Sequence, residues 1–420
     1  MDDSGPKTPR GGLFHLLAPG ILIAATGVGA GDLITASLAG SQVGLVIGWA
    51  VLVGALLKWT LNEGLARWQM VTGTTLLEGW HARLGRGVEW IFLIYLLAWA
   101  FFTGGALISA CGAAGAALCD LGQPMATAKS IWGIFHSLLG AALVWFGGFR
   151  VFERLMSVCI ALMFCTVILT AILIRPDWSA VLQGLVRPAI PAQSTTWVLG
   201  LLGGVGGSVT LLSYGYWIRE EGRSGIEGVR QCRIDLAVGY TMTALFGVAM
   251  VTIGSRLTLT KGASDRVAAA LAEQLATALG PAGKWIFLIG FWGAVFSSLL
   301  GVWQSVPYLF ADFVLLRGRA PGASRPQVDF TRTAPYRVFL IALAVLPMVL
   351  LHWGLQRVQL AYAVMAALFM PFLAATLLIM NNHKRWIDRR FRTPWLMNIL
   401  LAGTLLFFAW TGVRKMFASP

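Results

Sequence analysis

Charge is scarce in this sequence. Asp, Glu, Lys and Arg make up 12% of the 420 residues and 57% are hydrophobic, whereas a soluble chain carries roughly a quarter charged residues. Too few charges are present to coat a water-facing surface, which excludes the soluble globular class. Acid is scarcer still, with 18 carboxylates against 32 Lys and Arg. That basic excess is no nucleic-acid footprint, because it is divided among the gaps between apolar segments instead of gathering on one face or tail. Cysteine is limited to Cys111, Cys119, Cys159, Cys165 and Cys232, with no CxxC pair and four of the five inside apolar segments. A disulfide framework and a zinc site are therefore not indicated. The histidines, His15, His81, His136, His352 and His383, fall mostly near the ends of apolar segments, where interfacial roles suit them. No constellation points to hydrolytic or redox chemistry, so neither an enzyme nor a resident cofactor is expected. Met1 to Gly12 lacks the basic n-region and small-residue cleavage site of a signal peptide and reads as a short polar tail.

Long apolar runs are what the sequence does have. They reach about 20 residues or more, the length a helix needs to cross a bilayer core, whereas outer-membrane barrels show alternating segments of about ten residues. An all-α integral membrane protein follows. Eleven candidate spans lie at roughly 14–42, 43–66, 88–118, 129–148, 151–174, 196–218, 234–256, 284–316, 336–353, 357–381 and 394–414. Lys and Arg crowd into alternate gaps at about two to one, which predicts a cytoplasmic N-terminus and an outside C-terminus. Ala263 to Leu279 reads as a short amphipathic helix in an outer loop, with Val267, Leu271 and Leu275 on one face.

The chain also repeats itself. The first span contains Thr26-Gly27-Val28-Gly29-Ala30-Gly31-Asp32 and the sixth contains Gly203-Gly204-Val205-Gly206-Gly207-Ser208. An odd number of spans per repeat inverts the second copy, and paired Gly-interrupted helices in matching positions point to an inverted-repeat secondary transporter with its site at the midplane. The alternative is close helix packing by small residues. The predicted organisation is a cytoplasmic tail (1–12), a first five-helix repeat (13–178), a second, inverted one (195–385) and an eleventh helix (393–416), in the manner of a leucine-transporter-type bundle with broken helices 1 and 6.

Asp32 is the sharpest single residue. A carboxylate midway along a span usually has a partner, a proton or an ion, although an acid there can also cap the second half-helix. The second span supplies further buried charge. Lys58 and Asn62 share a face at i,i+4, and Glu63 pairs with Arg67 in the same spacing. Lys58 can neutralise a carboxylate such as Asp32 or Glu63, replace a coupling ion, or tie down unwound carbonyls; Glu63, near the inner end, reads as a gate residue.

The residues Ala18-Pro19-Gly20-Ile21-Leu22, Ala66-Arg67 with Val71-Thr72-Gly73, Arg233-Ile234-Asp235, Met370-Pro371-Phe372 and Asn382-His383-Lys384-Arg385 resemble, in order and spacing, the natural-resistance-associated macrophage protein family. Its members are proton-coupled divalent metal transporters of the amino acid-polyamine-organocation superfamily. The family's metal-site motifs are altered here. Its first-helix Asp-Pro-Gly-Asn falls on Gly29-Ala30-Gly31-Asp32, and its sixth-helix Met-Pro-His-Asn falls on Gly207-Ser208-Val209-Thr210. Its later histidine corresponds to Tyr214, and its tenth-helix glutamine, near Ala363, is absent.

The resemblance implies a broken-helix site in which the carbonyls of Thr26 and Gly204 face an ion. With Asp32 as the metal ligand and Gly29, Gly207, Ser208 and Thr210 beside it, the donor set is all oxygen, which suits hard cations such as Mg²⁺, Ca²⁺ or Mn²⁺. Lys58, Asn62, Glu63 and Tyr214 form an expected gate and charge network. The third span has Glu89 only at its inner edge, so proton coupling is expected to be weak or absent. The expected partners are a small inorganic cation as substrate and membrane lipid, with no nucleic acid, in a monomer of a bacterial-type inner membrane. Two other readings stay open: transport of an organic or monovalent solute such as an amino acid, and a non-transporting sensor.

Overall fold

Inside a bilayer each backbone N–H and C=O must find its partner within its own segment, so long apolar runs become helices. The computed structural model describes residues 31–146, 149–220, 222–257, 263–317 and 329–417, and those residues form helices and connecting turns with no strand. Helices cover the expected spans at Trp49–Thr72, Arg86–Leu118, Met125–Phe146, Phe149–Leu173, Gly225–Gly254, Gly280–Arg317, Ala334–His352, Leu355–Asn382 and Trp395–Phe417. Among the described residues, seven helices are long and apolar enough to cross a membrane. An eighth is added if Met163–Leu173 and Trp178–Val186, bent by 115° to each other, form one span.

The expected spans differ from the helices chiefly at their ends, because a helix continues past the apolar run as an amphipathic turn. Gly225–Gly254 starts well before the run at 234, with Glu227 in its first turn. Trp178–Val186 was not anticipated; Asp177 caps it by accepting the N–H groups of Ser179 and Ala180. The amphipathic helix expected over Ala263 to Leu279 is present. It is the first part of Val267–Arg317, ended by a break at Gly280, and it buries Val267 and Leu271. The tail, Thr26, Gly29 and the first part of the first span lie outside the described residues. The first span is described from a π-helical turn at Gly31–Thr35 that runs into Ala36–Val43.

The sixth expected span is two half-helices, Thr195–Gly204 and Leu211–Glu220. Gly206 and Gly207 between them have φ of 76° and 78°, a left-handed conformation that residues with a Cβ adopt only at a cost. The first half-helix also lies very close to the tenth span. A Cβ on Gly203 would sit 2.1 Å from the Ala363 carbonyl oxygen, so glycine there sets the depth at which the break enters the bundle.

The two ends of the bundle are fastened differently. At one end Glu63, buried to 1% exposure, pairs with Arg67 and with Arg233 Nη2 at 2.9 Å. Arg67 Nη1 donates to the Phe391 carbonyl at 3.3 Å, and Arg219 bridges to Glu78 at 2.8 Å. At the other end the ammonium of buried Lys129 donates to Asp265 Oδ2 at 3.1 Å and to the Trp353 carbonyl at 2.9 Å. Asp265 Oδ1 in turn accepts the Leu355 N–H at 2.7 Å, and Ser264 Oγ accepts that of Gln356 at 3.3 Å. These two side chains cap the tenth span with a loop that follows the seventh.

Candidate transport site at the broken sixth helix

The break leaves polar backbone groups exposed in the middle of the bundle. The half-helix Thr195–Gly204 ends in free carbonyls and the negative pole of its dipole, where a cation is favoured. That cation is Lys58. Its ammonium donates to the Gly203 carbonyl at 2.9 Å and also to the Val205 carbonyl, and the residue is fully buried. Of the three roles open to Lys58 in the sequence, tying down unwound carbonyls is the one its hydrogen bonds perform. The engaged carbonyls flank Gly204, the position expected to supply one.

Asp32 lies at the same break. It is fully buried and stands in the π-helical turn Gly31–Thr35, a local geometry frequent at functional sites. The N–H of Gly206 is directed at its carboxylate, 3.2 Å from Oδ1 and 3.4 Å from Oδ2. Lys58, Tyr240 and Tyr362 all lie within electrostatic reach of that carboxylate. A Cβ built on Gly206 would lie 3.4 Å from Tyr240 and 3.6 Å from the Lys58 stem. The carboxylate, the ammonium and the unwound strand therefore belong to one locus of opposite charges.

Around it the oxygens are mostly neutral. Asn62, one turn along from Lys58, donates Nδ2 to the Tyr240 hydroxyl at 3.2 Å. Its Oδ1 is buried without a hydrogen-bond partner among the described residues, as are Thr35 Oγ1 and, on the tenth span, Gln359 Oε1. Ser208 accepts the indole N–H of Trp99 at 2.7 Å, and Thr210 is buried just before the second half-helix. Among the described residues no group of three or more His, Cys, Asp and Glu could hold a metal. The donor set is one carboxylate with carbonyl, amide and hydroxyl oxygens.

Two expected network members lie apart from this locus. Tyr214 donates its hydroxyl to Asp235 Oδ2 at 2.9 Å, where Arg223 Nη1 also binds at 3.1 Å. Glu63 belongs to the cluster with Arg67 and Arg233. Tyr240, Tyr362 and Trp99 were not singled out in the sequence. Each is a common residue on an apolar helix, and only the fold brings it to the break.

The sequence model of the natural resistance-associated macrophage protein-like (Nramp) family matches residues 20–418. The chain belongs to this family. No curated protein matches the sequence of this Nramp-like chain. Among solved structures it is similar to two mutants of the Eremococcus coleocola manganese transporter. One has a TM-score of 0.70 at 18% identity and the other 0.69 at 19%; in both cases 98% of this chain and 90% of the other are covered. It is also similar to MhsT in complex with L-phenylalanine, with a TM-score of 0.60 at 16% identity over 96% of this chain and 98% of that one. The Nramp-like chain is thus an all-α, multi-pass membrane protein of the leucine-transporter type, with inverted repeats and a broken sixth helix.

Proposed function

We propose that this chain is a secondary transporter of divalent metal cations that works by alternating access through a site centred on Asp32. Membership of the Nramp family and the fold shared with a manganese transporter support the substrate class. The observation that carries the site is the fully buried Asp32 carboxylate facing the unwound strand of the sixth helix. A buried carboxylate at membrane depth is costly and is usually retained for an ion, a proton or a fixed partner. The donors that surround Asp32 among the described residues are oxygens, and such a set favours hard ions of the Mg²⁺ or Mn²⁺ kind over softer metals. Proton coupling is weak or absent in this reading, because Tyr214 and Glu63, which could carry protons, are tied into ion-paired clusters away from Asp32. The protein then resides in a bacterial-type inner membrane with its N-terminus in the cytoplasm and its C-terminus outside.

A second reading is favoured by the Lys58 ammonium, which offers a positive charge beside a backbone N–H at Gly206. Those groups could receive the carboxylate of an organic solute such as an amino acid, the ligand class in the MhsT complex. Uptake into proteoliposomes, compared across Mn²⁺, Mg²⁺, Ca²⁺, Na⁺ and amino acids with a pH reporter inside, separates the two. Divalent-ion uptake without proportional acidification supports the first reading, and amino-acid uptake alone supports the second.

A further inference from the structure

We propose that Lys58 is the resident cation of the substrate site: a tethered ammonium that holds the sixth-helix carbonyls in place of the transported ion and must withdraw for that ion to bind. The inference rests on the divalent-cation reading and assigns to Lys58 the setting of affinity and charge selectivity. Three observations carry it. The ammonium binds the carbonyls of Gly203 and Val205, which end a half-helix whose dipole favours a cation there. Its stem runs beside Gly206, whose N–H holds Asp32, so the lysine occupies the place where carbonyls and carboxylate converge. Two buried oxygens of the same neighbourhood, Asn62 Oδ1 and Thr35 Oγ1, have no hydrogen-bond partner among the described residues. Both are neutral oxygens of the kind a hard cation takes as ligands.

The charge balance makes the competition specific. Asp32 and Lys58 together are neutral, so a divalent ion entering beside both meets one attraction and one repulsion of similar size. If the lysine withdraws, the ion gains the carbonyls and loses the repulsion. Lysine suits this because its charge sits on a flexible four-carbon stem. A purely structural tie would need no charge, since a neutral amide can donate to a carbonyl without the cost of burying an ion.

The test is Mn²⁺ binding by the purified full-length protein, read from the loss of the free-Mn²⁺ paramagnetic resonance signal, for wild type, Lys58→Gln, Lys58→Arg and Asp32→Asn. Lys58→Gln keeps a donor for one carbonyl and removes the charge, and it should bind Mn²⁺ at least tenfold more tightly than wild type. Lys58→Arg keeps the charge in a planar, permanently ionised fork that withdraws less readily than the flexible lysine, so it should bind at least threefold more weakly. Asp32→Asn should bind weakest. If monodisperse Lys58→Gln binds no more tightly than wild type, the resident-cation role is overturned while the transport reading stands on wild-type binding. If Lys58→Gln does not fold, Lys58→Arg decides, and equal or tighter binding overturns the role. If neither wild type nor either Lys58 variant binds Mn²⁺, the divalent-cation reading fails and this inference fails with it.

Discussion

Asp32 and Lys58 can be separated energetically by a double-mutant cycle. Both are fully buried, within electrostatic reach of each other, and joined to the same unwound strand through Gly206 N–H and the carbonyls of Gly203 and Val205. Asp32→Asn keeps an acceptor for the Gly206 N–H but strips the counter-charge from a buried ammonium. Lys58→Gln keeps a donor but leaves a buried carboxylate without its cation. Leaving one of two opposite buried charges uncompensated costs up to about 3–5 kcal/mol, the figure for a broken buried ion pair, and replacing both with neutral groups is far cheaper. Each single variant should therefore lose about 3 kcal/mol, and the double variant should lose less than the two together by at least about 2 kcal/mol. Reversible SDS-induced unfolding in mixed micelles reads all four proteins. Losses that add to within about 0.5 kcal/mol, the behaviour of independent sites, would refute the electrostatic coupling and with it the single charged locus.

Gly203→Ala should be poorly tolerated, because its Cβ would lie 2.1 Å from the Ala363 carbonyl oxygen and 2.5 Å from the Ala367 nitrogen; overpacking of this kind costs about 1–3 kcal/mol or more, and a melting temperature equal to wild type would contradict the close approach. Lys129→Met should lower stability by about 2 kcal/mol, since it leaves the Trp353 carbonyl and Asp265 without their buried ammonium; an unchanged thermal melt would show that the clamp on the tenth span is idle. Tyr214→Phe should cost about 1 kcal/mol by removing the donor to Asp235 and should leave the KM of uptake unchanged, whereas a large rise in KM would bring Tyr214 into the substrate site.

Much of the architecture was legible because it rests on period and composition. Runs of apolar residues marked the helices, and the glycine cluster from Gly203 to Gly207 marked the break, since consecutive glycines can take the left-handed turn at Gly206 and Gly207. The i,i+4 spacing of Glu63 and Arg67 announced their ion pair. Its second cation, Arg233, lies 170 positions away in the chain, and no local pattern reports such a distance. The same holds for Gly206 with Asp32 and Trp99 with Ser208, whose separations of 174 and 109 residues are set by topology. Lys58 shows the difference most clearly. Its depth in an apolar span flagged it, but the choice among a salt bridge, a substitute ion and a tie to carbonyls needed the position of the sixth helix.

The most direct test of the central claim is Mn²⁺ influx into proteoliposomes carrying a metal-quenched dye and a pH reporter, run with wild type and Asp32→Asn side by side. Wild type should admit Mn²⁺ with no proportional fall in internal pH. Asp32→Asn, which preserves shape and removes the charge, should slow influx at low Mn²⁺ concentration by more than tenfold, equivalent to at least about 1.4 kcal/mol of lost ion binding. Unchanged Mn²⁺ influx by Asp32→Asn, or uptake of amino acids with no divalent influx by wild type, would contradict the account.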